Sequence, residues 1–176
     1  MKVLKLMTLL FLLPFVLTAQ EDSPTLTKIG DSVANFSFEI EKGKTANLSD
    51  YKGKLILINL FATWCPPCNE ELPQVQKQIW DKYKDHPNFA FFVFGREEGW
   101  DKLEPFKKTK GFTFPILPDA DRGIFKKFAT QSIPRNIIID MDGKIVYQSI
   151  GYSVEEFDKM VKLIETKLKP ATAKTR

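Results

Sequence analysis

Apolar positions along this chain fall into three patterns, and each predicts a different kind of element. Leu55–Phe61 and residues 89–94 are apolar almost throughout, with Asn59 the one polar interruption. A strand covered on both faces has no polar side to show, so such runs predict central strands of a sheet. In residues 153–168 the apolar positions are spaced as on a helix: Phe157, Val161, Ile164 and Leu168 share one face, with Ser153 as N-cap and Glu156 three residues on. The third pattern is short apolar pieces separated by turn residues. Residues 36–40 and 45–48 form a hairpin around Glu41-Lys42-Gly43-Lys44, and Asp142-Gly143 turns a strand over 136–140 into Ile145–Ile150. Between these lie predicted helices over 67–84, Trp100–Lys110 and 121–128, and a short extended piece over 114–117. Pro73 should bend the first helix. Strands alternating with helices, then a hairpin and a last helix, predict an α/β fold with a sheet of mixed direction.

The ends change this picture only at the margins. Met1-Lys2-Val3-Leu4-Lys5 is basic, residues 6–17 are apolar but for Thr8 and Pro14, and small or polar Thr18-Ala19-Gln20 precede Glu21-Asp22. That is the layout of a secretory signal peptide, and twelve residues fall short of the roughly 20 that span a bilayer. The expected division is a signal peptide over 1–20, one domain over 21–170 and a frayed tail over 171–176. An uncleaved membrane anchor is the alternative, and with no cysteine at the junction a lipid anchor is excluded. Removing Lys2 and Lys5 lowers the net charge from +4 to +2, too little to suggest nucleic acid. Lys107-Lys108-Thr109-Lys110 reads as a solvated helix face, and His86 as part of an inert polar turn.

Chemistry concentrates at Cys65-Pro66-Pro67-Cys68, the only two cysteines of the 176 residues. Four readings compete. Zinc needs four ligands, so beyond these thiols and His86 carboxylates would have to complete the set. Covalent haem attachment needs His after the second cysteine, where this chain has Asn69. A purely structural disulfide here closes too small a loop to constrain the unfolded chain much. A redox-active dithiol fits the local physics best. Pro67 pushes Pro66 toward an extended conformation, so the helix should begin at Pro67 with Cys65 at its N-cap. Free amides and the helix dipole there favour a thiolate. Cys65 is therefore the expected nucleophile and Cys68 the more shielded resolving thiol. No metal or other cofactor is called for.

Trp64-Cys65-Pro66-Pro67-Cys68, the strand before it and Ile133-Pro134 before a late strand resemble the thioredoxin superfamily. Asn47-Leu48-Ser49-Asp50-Tyr51-Lys52-Gly53-Lys54, Ala62-Thr63-Trp64, Glu71-Leu72-Pro73 and Ile139-Asp140-Met141-Asp142-Gly143-Lys144 narrow the likeness to exported TlpA/ResA-type thiol–disulfide oxidoreductases. The resemblance covers about residues 30–168. It implies a thioredoxin fold with an N-terminal β-hairpin extension and an insertion over 100–117, before the cis-proline strand. Pro134 would be that cis-proline, with the Ile133 backbone pairing with substrate and Trp64, Pro66 and Pro67 completing the docking surface. Glu71, one turn after Cys68, would tune the thiols or relay a proton; the alternative is a solvated helix glutamate. Asn59 stands where classical thioredoxins bury an acid, and an amide cannot take a proton, which leaves that task to Glu71 or water. Arg135-Asn136 replaces the small threonines usual after the cis-proline and is expected to alter which partners dock. Gly95-Arg96-Glu97-Glu98 is a candidate recognition loop or an ordinary polar one.

The implied activity is exchange of the Cys65/Cys68 dithiol with disulfides of other proteins in the periplasm, as a monomeric reductant fed by a membrane thiol protein and serving cytochrome c maturation. Other readings are a thiol peroxidase, for which Thr63 is suitably placed but no accompanying proline exists, and a non-catalytic chaperone or binding module. Trp-Cys-Pro-Pro-Cys also occurs in intracellular tryparedoxin- and nucleoredoxin-like proteins.

Overall fold

The structure is a computed structural model that describes residues 24–169. The proposed signal segment and the 171–176 tail lie outside the described residues. A hairpin of β1 (Ser37–Glu41) and β2 (Lys44–Asn47) leads through a 3₁₀ turn at Leu48–Tyr51 into β3 (Leu55–Phe61). Then come α1 (Pro66–Val75), a π-helical turn at Gln76–Trp80, α2 (Asp81–Tyr83), β4 (Phe89–Arg96), α3 (Trp100–Lys110), β5 (Ile116–Asp119), α4 (Phe125–Phe128), β6 (Arg135–Ile139), β7 (Ile145–Ile150) and α5 (Val154–Leu168). The five-stranded sheet has the order β5-β4-β3-β6-β7. β4 and β5 run parallel to β3, β6 and β7 pair antiparallel, and the sheet is therefore mixed, as expected.

β3 lies at the centre, and every residue of it is buried. Side chains alternate between faces along a strand. Leu55, Leu57 and Phe61 thus pack with Cys68, Leu72, Val75 and Ile79 of the first helical run and with α5. Ile56, Ile58 and Leu60 pack on the other face against Phe36 and Phe38 of the hairpin region and Phe125 and Phe128 of α4. Phe38 meets Phe92 and Phe94 at 4.9 and 5.4 Å between ring centroids, which fastens the hairpin extension to the sheet. Gly95 leaves room for α3, since a Cβ there would come within 2.5 Å of the Leu103 side chain.

Several expectations shift. The helix begins at Pro66 rather than Pro67; both prolines occupy its first turn, where a missing N–H costs nothing. The irregularity expected at Pro73 falls just after it, as the π-helical turn at Gln76–Trp80. The piece expected over 114–117 is β5, two residues later, and it forms the sheet edge beside β4. The helix expected over 121–128 is cut to Phe125–Phe128. Arg122 sits at φ 62°, and the Asp119 carboxylate takes the N–H groups of Ile124 and Phe125. On α5, Met160 is fully buried whereas Val161 is half-buried, so the apolar face is rotated slightly from the one expected. Ser153 caps that helix by accepting from Glu156 N–H at 3.3 Å.

Candidate active site

β3 ends at the carboxyl edge of the sheet, where parallel strands place their sites, and delivers Ala62, Thr63 and Trp64 into the cysteine turn. Cys65 is the N-cap of α1: its Sγ accepts from Cys68 N–H at 3.3 Å, and its carbonyl accepts from Asn69 N–H at 3.1 Å. The two cysteines are joined as a disulfide with their Cα atoms 5.3 Å apart. Cys68 is fully enclosed and Cys65 is 2% exposed. The surface above them is Trp64, 63% exposed, with Pro66 exposed and Pro67 half-buried beside it.

The turn is held from two sides. Asn69 Nδ2 donates to the carbonyls of both Thr63 and Cys65 at 2.9 Å. Glu98, in the loop after β4, accepts from Thr63 N–H at 2.9 Å and from the Thr63 hydroxyl at 2.6 Å. Glu98 is 2% exposed. Of the candidate recognition loop, this residue is a buried clamp, and no periodic pattern in the sequence marks it. Arg96 stacks between Trp64 and Phe125, at 5.8 and 5.2 Å from the ring centroids.

Glu71 is buried, not solvated, while Glu70 is exposed. Its position was legible: Cys68, Leu72, Val75 and Ile79 make an apolar stripe on which Glu71 falls. Asn59 and Asn136 face it from β3 and β6, where they are register partners. Asn59 Nδ2 donates to Glu71 Oε2 at 2.9 Å and to Asn136 Oδ1 at 2.8 Å, and Asn136 Nδ2 donates to Glu71 Oε1 at 2.5 Å. Burial penalises the charged carboxylate and pushes its pKa up to about 7, against the opposing pull of the two amides.

The Ile133–Pro134 peptide bond is cis. Leu60 pairs with Arg135 across the β3–β6 ladder, so Pro134 lies at the end of β3 from which the cysteine turn departs. The Pro134 carbonyl accepts from Gly151 N–H at 2.8 Å; among the described residues, no hydrogen bond engages the Ile133 backbone. Arg135 corrects an expectation. Its side chain is buried and turned into the fold, donating to the carbonyls of Gln131, Ser132 and Pro24 and to the Thr25 hydroxyl. A guanidinium so engaged ties the cis-proline loop to the N-terminal segment and presents nothing to a docking partner. Asn136 is likewise internal. His86 accepts from Asn88 N–H within its own turn, away from the cysteines.

Among the described residues there is no cluster of His, Cys, Asp and Glu able to hold a metal ion, and no helix long and apolar enough to cross a membrane.

Comparison with known proteins agrees with this geometry. The family model described as Redoxin matches residues 28–165. Thiol-disulfide oxidoreductase ResA of Bacillus subtilis is 31% identical over 128 residues, covering 72% of this chain and 69% of that protein. The solution structure of a candidate protein disulfide isomerase from Bacteroides thetaiotaomicron superimposes with a TM-score of 0.79 at 36% identity, over 84% of this chain and 94% of the other. The crystal structure of StoA from Bacillus subtilis gives 0.61 at 25% identity, over 75% and 99%.

Proposed function

This chain belongs to the Redoxin family, within the TlpA/ResA-like group of the thioredoxin superfamily, and from that premise we propose how it works as a thiol-disulfide oxidoreductase on protein substrates. The observation that carries the reading is the Cys65–Cys68 disulfide at the N-cap of α1, with Cys68 N–H aimed at Cys65 Sγ. An amide donor and the helix dipole favour the Cys65 thiolate in the reduced enzyme. That thiolate attacks a substrate disulfide, forms a mixed disulfide and releases one substrate thiolate. Cys68 then attacks Cys65 Sγ, which frees the second substrate thiol and forms the intramolecular disulfide. The substrate gains two electrons, and the enzyme awaits a donor dithiol.

Glu71 is the group suited to handle the Cys68 proton, since it is buried one turn further along the same helix and titrates near neutrality. Trp64, Pro66, Pro67 and the free Ile133 backbone beside cis-Pro134 form the docking surface, on which a substrate strand pairs with Ile133. The working direction is reductive, in an extracytoplasmic compartment, with electrons from a membrane thiol protein. The N-terminal leader pattern and the ResA likeness support that placement.

The test is a Cys68→Ser variant expressed in the native host, where proteins held on Cys65 are identified by mass spectrometry after non-reducing electrophoresis. Exported disulfide proteins, an apocytochrome among them, are the expected catch. An empty trap overturns the exchange mechanism, and cytosolic partners overturn the compartment.

A further inference from the structure

Asn59, Glu71 and Asn136 form a closed ring of three hydrogen bonds, and its polarity is fixed by what each atom can do. Each oxygen of the Glu71 carboxylate accepts one amide N–H, and the ring closes between Asn59 Nδ2 and Asn136 Oδ1. Both protons of Asn59 Nδ2 are used, which leaves Asn59 Oδ1 buried without a partner among the described residues. An orphaned buried oxygen is costly. The opposite orientation of that amide costs more, because it sets three acceptors against one another: Asn59 Oδ1, Asn136 Oδ1 and the carboxylate. The arrangement therefore fits a charged carboxylate. A protonated Glu71 has an O–H to donate, and each neighbour in the ring presents it with an N–H.

We infer that Asn136, acting with Asn59, is a positioning residue for the exchange reaction: the two amides hold Glu71 as the anion, and Glu71 can take up a proton only when a bond of the ring breaks. This rests on the proton-handling role proposed for Glu71 and goes beyond it, since it names what sets that proton's affinity. The ring also joins the cysteine helix α1 to β3 and to β6, the strand after cis-Pro134. Proton uptake by Glu71 thus loosens the link between the two halves of the docking surface.

The other groups around Glu71 do not replace the amides. Cys68 and exposed Glu70 lie on its own helix. From β7 and the loop before α5, Tyr147 and Tyr152 face it, and both phenols are held above their usual pKa by burial first, with the Glu71 charge adding to it. Ser149 Oγ is 3.5 Å from Asn136 Nδ2, a long contact with the amide and not with the carboxylate. Against burial, only the two amides pull the Glu71 proton affinity down.

The test reads the Glu71 carboxyl directly, by ¹³C NMR titration of the full-length protein labelled at glutamate, with Glu71→Gln assigning the resonance. Hydrogen bonds to the charged form lower a pKa, so their removal raises it. Asn136→Ala and Asn59→Ala should each move the Glu71 midpoint upward by about one pH unit, a tenfold gain in proton affinity. Asn136→Ser, which keeps one donor, should move it less. The pH profile of disulfide exchange should shift in step. A midpoint unchanged in folded Asn136→Ala and Asn59→Ala overturns the inference, whatever happens to thermal stability. If Glu71→Gln leaves the exchange profile untouched, the proton role of Glu71 fails, and the NMR midpoint still decides whether the ring sets its charge.

Discussion

Glu71 is a carboxylate placed where the surrounding positions call for leucine, and its burial has a consequence for stability that can be signed. The folded chain binds this proton more tightly than the unfolded one, with the pKa raised from 4.5 to about 7. Stability from this group is therefore fully present below about pH 4.5 and is lost as pH rises through 7. The displacement is worth about 3 kcal/mol at alkaline pH. Glu71→Gln should accordingly gain stability relative to the parent between pH 5 and 8, as read from urea midpoints at both pH values. A constant difference between the two proteins would mean that Glu71 is ionised throughout. Arg135 poses the opposite case, a buried cation whose donors are spent on carbonyls and a hydroxyl. Arg135→Ala leaves those acceptors unpaired and should cost on the order of 3 kcal/mol. Arg135→Lys should recover little, since an ammonium cannot reproduce a fork of donors. Urea unfolding checks both variants.

At the scale of elements, the cysteine turn depends on its neighbours more than on α1 itself. Glu98, in the loop after β4, accepts two hydrogen bonds from Thr63, and two such bonds are together worth roughly 1–3 kcal/mol. Glu98→Ala should speed hydrogen exchange at the Thr63 amide by about 10- to 100-fold, with the amides of central β3 unaffected; an unchanged Thr63 rate would show that Asn69 alone holds the turn. That contact shows where the sequence stops being legible. Leu55–Phe61, Trp100–Lys110, Ile145–Ile150 and the Ser153 cap could be read, because burial on both faces, helical spacing and capping are local properties. The two prolines marked the start of the cysteine helix but set it one residue late; with α1 beginning at Pro66, Cys65 is the N-cap. The Glu98 clamp on Thr63, the Arg135 bonds to Pro24 and Thr25 and the partnership of Asn136 with Glu71 join residues 35 or more apart in the chain, and no local pattern encodes which loop carboxylate meets which turn. The left-handed Arg122 that shortens α4 was hidden for a different reason. That conformation is uncommon outside glycine, and the carboxylate that holds the Ile124 and Phe125 amides belongs to Asp119 of β5, a separate element.

For the molecule as a whole, redox state and folding stability are one linked equilibrium, and this ties the proposed direction of electron flow to a measurement. The disulfide closes a loop with a sequence separation of 3, so it removes only about 2 kcal/mol of freedom from the unfolded chain. The remaining preference must come from the folded site, where two effects oppose. Cys68 N–H and the dipole of α1 stabilise a Cys65 thiolate and favour the reduced form. The buried charge of Glu71, one turn beyond Cys68, disfavours a thiolate nearby and favours the disulfide. A reductant requires the second effect, together with loop closure, to prevail. The oxidised domain should then melt above the reduced one at pH 7 to 8, and Glu71→Gln should narrow that gap. In a redox titration against glutathione the same variant should become less reducing, by about 30 mV for each 1.4 kcal/mol of lost preference. If instead the reduced domain melts higher, the fold stabilises the dithiol, and the protein works as an oxidant of its partners.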